Sequence, residues 1–93
     1  MSDSSAMCTK DVSIINELGL HARAAALLAQ TAAKAANGVW IIDGDRKVDA
    51  SSVIDILGLA CGKGTIITLQ IDDRSDEPVL DELVRMVEAG FGE

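Results

Sequence analysis

The run Gly19-Leu20-His21-Ala22-Arg23 puts the only histidine of the chain two residues ahead of an arginine, at the start of an alanine-rich stretch. Alanine has the highest helix propensity, so His21 is expected at the mouth of a helix. A helix start carries backbone N–H groups without intrahelical partners and the positive end of the macrodipole, and both favour an anion there. Arg23 adds a planar, permanently charged donor fork that matches phosphate oxygens. Imidazole supplies a nitrogen nucleophile, largely neutral near pH 7, that can carry a phosphoryl group covalently. The residue types and their spacing therefore suit phosphoryl handling, with His21 as acceptor and Arg23 as stabilising cation. The blander alternative is that a lone histidine before a helix serves only as a surface or capping residue.

The elements that must position this pair follow from hydrophobic patterning. Val12 and Ile14 alternate within Lys10 to Ile15, which predicts a strand half-buried against helices, and Asn16 to Gly19 break the pattern ahead of His21. Ala22 to Ala36 reads as the first helix, with Ala24, Leu27, Leu28, Ala32 and Ala35 sharing a stripe and Asn37-Gly38 stopping it. Val39 to Ile42 is β-rich and turns through Asp43-Gly44-Asp45 into a second strand over Arg46 to Asp49. Ser51 or Ser52 caps a short helix from Val53 to Leu59, whose apolar members are Val53, Ile54, Ile56 and Leu57. Thr65 to Ile71 alternates as a last strand, and Asp72 to Asp76 is a polar loop. Ser75 or Asp76 followed by Pro78 opens a final helix with Val79, Leu80, Leu83, Val84 and Val87 on its buried side, and Gly90 to Glu93 ends it.

This order, βαββαβα, predicts an α+β open-faced β-sandwich: a four-stranded antiparallel sheet with three helices on one face. Residues 1–8 read as a flexible N-terminal arm and residues 9–93 as a single domain.

Composition excludes several classes of function. A net charge of −7, with 8 Lys and Arg against 15 Asp and Glu, opposes binding to a nucleic-acid backbone. Trp40 and Phe91 are the only aromatic residues, too few for a platform on which bases stack. No apolar run reaches the ~20 residues that a membrane span needs, so no membrane insertion is expected. The start of the chain lacks a basic segment followed by an apolar one, and Cys8 and Cys61 form no disulfide framework, which makes a reducing cytoplasm the expected setting. One histidine excludes a His-pair zinc site, and no metal or cofactor is expected.

Two local motifs resemble ligand loops and fail. Asp43-Gly44-Asp45 lacks the spaced oxygen ligands and terminal Glu of a calcium loop. Gly62-Lys63-Gly64-Thr65 has Gly64 directly after the lysine, where a phosphate loop needs Ser or Thr, and leads into a strand instead of a helix. A hydrolase using Cys61 as nucleophile and His21 as base would require this glycine turn to bring the thiol beside the ring.

With Gly19-Leu20-His21-x-Arg23 opening the first helix, Ser52 the second and Gly64-Thr65 the fourth strand, the chain resembles the HPr family of phosphocarrier proteins. That family belongs to the bacterial phosphoenolpyruvate:sugar phosphotransferase system, and the resemblance runs from about Val12 to Glu88. It implies that His21 takes a phosphoryl group from phospho-enzyme I on Nδ1 and passes it to an enzyme IIA component, with Arg23 stabilising the transferring group. The protein would be a monomeric carrier with a phosphohistidine intermediate and no turnover of its own. Ser52 matches a regulatory serine that an ATP-dependent HPr kinase/phosphorylase modifies, and Ala22, Val53, Ile54 and Leu57 fall on the family's docking surface. The alternative within the same resemblance is a regulatory module that acts through Ser52 phosphorylation and protein binding. The chain departs from the family pattern at Ala24, where a proline is usual, along helix one, where Gln30 and Lys34 stand among fewer lysines, and at Ser51, where a lysine is common.

Overall fold

In a computed structural model the described residues are 7–93. The elements run β1 (Cys8–Ser13), α1 (Ala22–Ala32), β2 (Val39–Asp43), β3 (Arg46–Asp49), α2 (Val53–Leu59), β4 (Ile66–Ile71) and α3 (Glu77–Glu88), with 3-10 turns at Arg74–Asp76 and Gly90–Gly92. The four strands form one antiparallel sheet in the order β1-β4-β2-β3. The expected open-faced sandwich is the observed fold.

Strand alternation builds the core. Val12, Val39, Ile41, Ile67, Leu69 and Ile71 point to one face and are buried, while Thr9, Asp11, Ser13 and Ile66 stay exposed on the other. Against the buried face lie Ala24, Ala25, Leu28, Ala29 and Ala32 of α1, Ile56 and Leu59 of α2, and Leu80, Leu83 and Val87 of α3. The alanines let α1 approach the sheet closely, so its buried stripe consists mostly of small side chains.

Several boundaries differ from the sequence expectation. β1 begins at Cys8, which pairs with Ile71, so Cys8 belongs to the sheet and not to the expected arm. Residues 1–6 of that arm lie outside the described residues. α1 stops at Ala32 instead of Ala36, because the Asp76 carboxylate draws off the chain beyond it, accepting from Ala36 N at 2.9 Å and Asn37 N at 2.8 Å. Gly38 is thus no helix cap, Ala35 lies beyond the helix, and Leu27 is only half-buried. β4 starts at Ile66, one residue late, and the loop after it contains the turn Arg74–Asp76. The tail after α3 does not simply end: the Gly90–Gly92 turn folds back and buries Phe91.

Candidate functional site

His21 is the N-cap of α1, with extended backbone (φ −77°, ψ 179°), and its Nδ1 accepts a hydrogen bond from Arg23 N at 3.2 Å. A ring nitrogen that accepts has its lone pair free of a proton. The other ring nitrogen, Nε2, meets the Glu93 carboxylate. Since a carboxylate only accepts, this pairing calls for the ring proton on Nε2 and leaves Nδ1 as the acceptor. The hydrogen bond from His21 is the chief reason the Glu93 carboxyl lies below the ordinary carboxylate range; Asn16 and Arg23 act in the same direction.

The loop before His21 is braced from two sides. Asn16 Nδ2 donates to Gly19 O at 2.8 Å and to Glu93 Oε1 at 3.2 Å. From the other side, Leu20 N donates to Cys61 O at 2.9 Å, and Gly64 N to Ile14 O at 2.7 Å. Only glycine fits at position 19: its φ is +64°, and a Cβ there would lie 2.4 Å from Cys61 O. The glycine turn at 62–64, which contains no phosphate-loop chemistry, therefore holds the histidine loop in place.

Arg23 stands exposed in the first turn of α1, and its side chain has no ion pair among the described residues. Ala22 is exposed beside it. A helix offers its first-turn N–H groups no intrahelical partner, so the mouth of α1 favours an anion, and Arg23 N already points at Nδ1.

Ser52 caps α2, its Oγ accepting from Asp55 N at 3.2 Å, whereas Ser51 turns its hydroxyl to Asp49 Oδ1 at 2.7 Å. The apolar residues of α2 divide: Ile56 is buried, Val53 packs partly against the core, and Ile54 and Leu57 are 81% and 40% exposed. Leu18, three residues before His21, is 72% exposed, and Ile15 is exposed too; the sequence reading singled out neither.

Cys61 is separate from this chemistry. It is buried, and its thiol lies 3.5 Å from Asp43 Oδ2. Burial and then Asp43 push its pKa up to about 11, so it is a protonated thiol and no nucleophile at neutral pH. Glu93 is the site residue that the sequence did not reveal. It lies 72 positions from His21, and no local motif marks it.

An open-faced sandwich that presents its one histidine at a helix mouth, with Nδ1 accepting from Arg23 N and an exposed arginine in the same first turn, has the architecture of a phosphoryl carrier. A family model for the "PTS HPr component phosphorylation site" matches residues 8–89. The phosphocarrier protein HPr of Cupriavidus necator is 39% identical over 87 residues, covering 94% of this chain and 98% of that protein. The HPr-like protein Crh of Halalkalibacterium halodurans is 32% identical, covering 88% and 98%. Among solved structures, HPr of Thermoanaerobacter tengcongensis superposes with a TM-score of 0.84 at 36% identity, over 92% of this chain and 97% of that one. The chain belongs to the HPr family, the phosphocarriers of the phosphotransferase system.

Proposed function

We propose that this protein accepts a phosphoryl group from phospho-enzyme I on Nδ1 of His21 and delivers it to an enzyme IIA component, working as a monomer in the cytoplasm. The observation that carries the reading is the placing of His21 as the N-cap of α1, with Nδ1 at the helix mouth on Arg23 N and Nε2 on the Glu93 carboxylate. For transfer, Nδ1 gives up its hydrogen bond from Arg23 N, and its lone pair forms the new N–P bond. The bond from phosphorus to the donor atom breaks, and that electron pair leaves with the donor. Arg23 N–H then has the phosphoryl oxygens as acceptors, so the lost cap is replaced by a charge-assisted hydrogen bond. The guanidinium of Arg23 offsets charge on the three equatorial oxygens in flight. Passing the group on reverses these steps.

Ala22, Leu57 and Ile54 are proposed as the surface that meets both partners, with Val53 at its base. Ser52 is proposed as the second phosphorylation site, for a kinase of the HPr kinase/phosphorylase type; its place at the mouth of α2, beside the exposed Ile54 and Leu57, supports this regulatory reading beside the first.

Incubation with phosphoenolpyruvate and enzyme I tests the carrier reading. Wild type is expected to gain an acid-labile phosphoryl group, and His21→Ala to gain none while keeping its fold. Labelling retained in His21→Ala overturns the reading.

A further inference from the structure

The contact between Glu93 and His21 is more constrained than a chance meeting of exposed side chains. The turn Gly90–Gly92 brings the chain back from the end of α3, and Phe91 is its anchor, buried although its φ is +58°. A left-handed backbone is costly for an aromatic residue and persists only where the surroundings enforce it. Gly90 lies against Ile15 and Asn16, so the turn seats on the loop that leads to the histidine. At its end, each oxygen of the Glu93 carboxylate is held: Oε1 by Asn16 Nδ2 and Oε2 by His21 Nε2.

Asn16 is itself committed to this arrangement. Its amide donates both to Gly19 O and to Glu93, while its Oδ1 is buried without a partner among the described residues. Turning the amide over would aim Oδ1 at a carbonyl and a carboxylate, so the orphaned oxygen is the cost of holding Glu93.

We propose that Glu93, held by Asn16 and delivered by Phe91, is a positioning residue for phosphoryl transfer. Its carboxylate holds the His21 proton on Nε2, orients the ring, and balances the positive charge that the ring gains as Nδ1 bonds to phosphorus. During that step His21 keeps its Nε2 proton, the Nδ1 lone pair becomes the N–P bond, and the donor leaves with the electrons of the broken bond. A ring that gives up a lone pair while keeping its N–H becomes cationic, and an ionised acceptor on that N–H stabilises it, as an aspartate does for a catalytic histidine. Arg23 and the helix mouth act on the phosphoryl oxygens; Glu93 acts on the opposite side of the ring. This inference rests on His21 being the acceptor.

The test combines Glu93→Gln, which keeps an acceptor but removes the charge, with Glu93→Ala, which removes both. In ¹⁵N-edited NMR of the unphosphorylated protein, wild type is expected to show an unprotonated Nδ1 and a downfield, exchange-protected Nε2–H, and Glu93→Ala to lose that protection. In single-turnover labelling by phospho-enzyme I, Glu93→Gln is expected to be about tenfold slower than wild type, with unchanged affinity for enzyme I, and Glu93→Ala slower still. Glu93→Asp should recover part of the rate. A Glu93→Gln variant that labels as fast as labelled wild type overturns the role of Glu93 alone, and so does an Nε2–H signal indifferent to Glu93→Ala. Wild type that takes up no phosphate overturns the carrier reading itself.

Discussion

At the scale of single residues, the histidine and the arginine are separable by what they do. In the proposed transfer His21 forms the bond, and Arg23, exposed and without an ion pair among the described residues, is left to meet the moving phosphoryl group. A guanidinium aimed at charge that peaks in the transition state lowers the barrier more than it strengthens docking. Arg23→Ala is therefore expected to slow single-turnover transfer by about 10²-fold while affinity for enzyme I falls only a few-fold. Equal losses in stopped-flow rates and in titrated affinity would make Arg23 a docking residue. Cys61 gives a second prediction at this scale. Its pKa in the folded protein, about 11, is raised above the ordinary thiol value of 9.0. The folded state thus holds its proton where the unfolded state has lost it. The stabilising effect is intact below pH 9 and fades as pH climbs toward 11. Denaturant midpoints should fall over that window more steeply in wild type than in Cys61→Ala. The thiol should also resist alkylation at pH 8 until the protein unfolds.

At the scale of elements, the short helix α2 shows where sequence reading succeeds and where it stops. A serine cap was legible because a serine before an apolar run is a local signal, but the choice between Ser51 and Ser52 was left to the structure, where the hydrogen bond from Asp55 N falls to Ser52. The far end was not legible. It closes on a left-handed Ala60, with Arg46 of the neighbouring strand donating to Leu59 O at 2.7 Å and Gly58 O at 3.3 Å. Nothing in the local pattern announces a partner from another element. Nor does periodicity over seven residues separate Ile56, which is buried, from Ile54, which is not. The position of Ser52 at a helix mouth leads to a prediction. A negative charge there is tolerated by the macrodipole, so Ser52→Asp should leave the melting temperature within a few degrees of wild type. The same charge beside exposed Ile54 and Leu57 must be desolvated when a partner docks, so labelling of His21 by enzyme I should slow several-fold, more than in Ser51→Asp. Wild-type labelling rates in both variants would leave Ser52 as a helix cap alone.

At the scale of the whole molecule, the parts visible in sequence are those governed by near neighbours, and the joints between them are governed by distant ones. Strand alternation and the histidine at the mouth of α1 could be read directly; the end of α1 could not, because it is set by Asp76, some forty positions away. Asp76 stands where a cap of α3 was expected, but its side chain makes no cap hydrogen bond there. It turns instead to the exit of α1, where its two oxygens accept from Ala36 N and Asn37 N, and it is buried in doing so. One carboxylate thereby fixes the point where the chain leaves α1 to the point where α3 begins, and both helices pack on the same sheet. Asp76→Ala leaves two backbone donors without this acceptor and is expected to destabilise the fold by about 1–3 kcal/mol. For a domain of this size that corresponds to a fall in melting temperature of roughly 4–8 °C per kcal/mol. Asp76→Asn should recover only part of the loss, since its amide presents one oxygen and turns an N–H₂ toward a second donor. The histidine sits at the opposite end of α1, so labelling by phospho-enzyme I at 20 °C should be unchanged in both variants. A loss below about 0.5 kcal/mol in Asp76→Ala would mean that water replaces the carboxylate, and that packing on the sheet alone sets the end of α1.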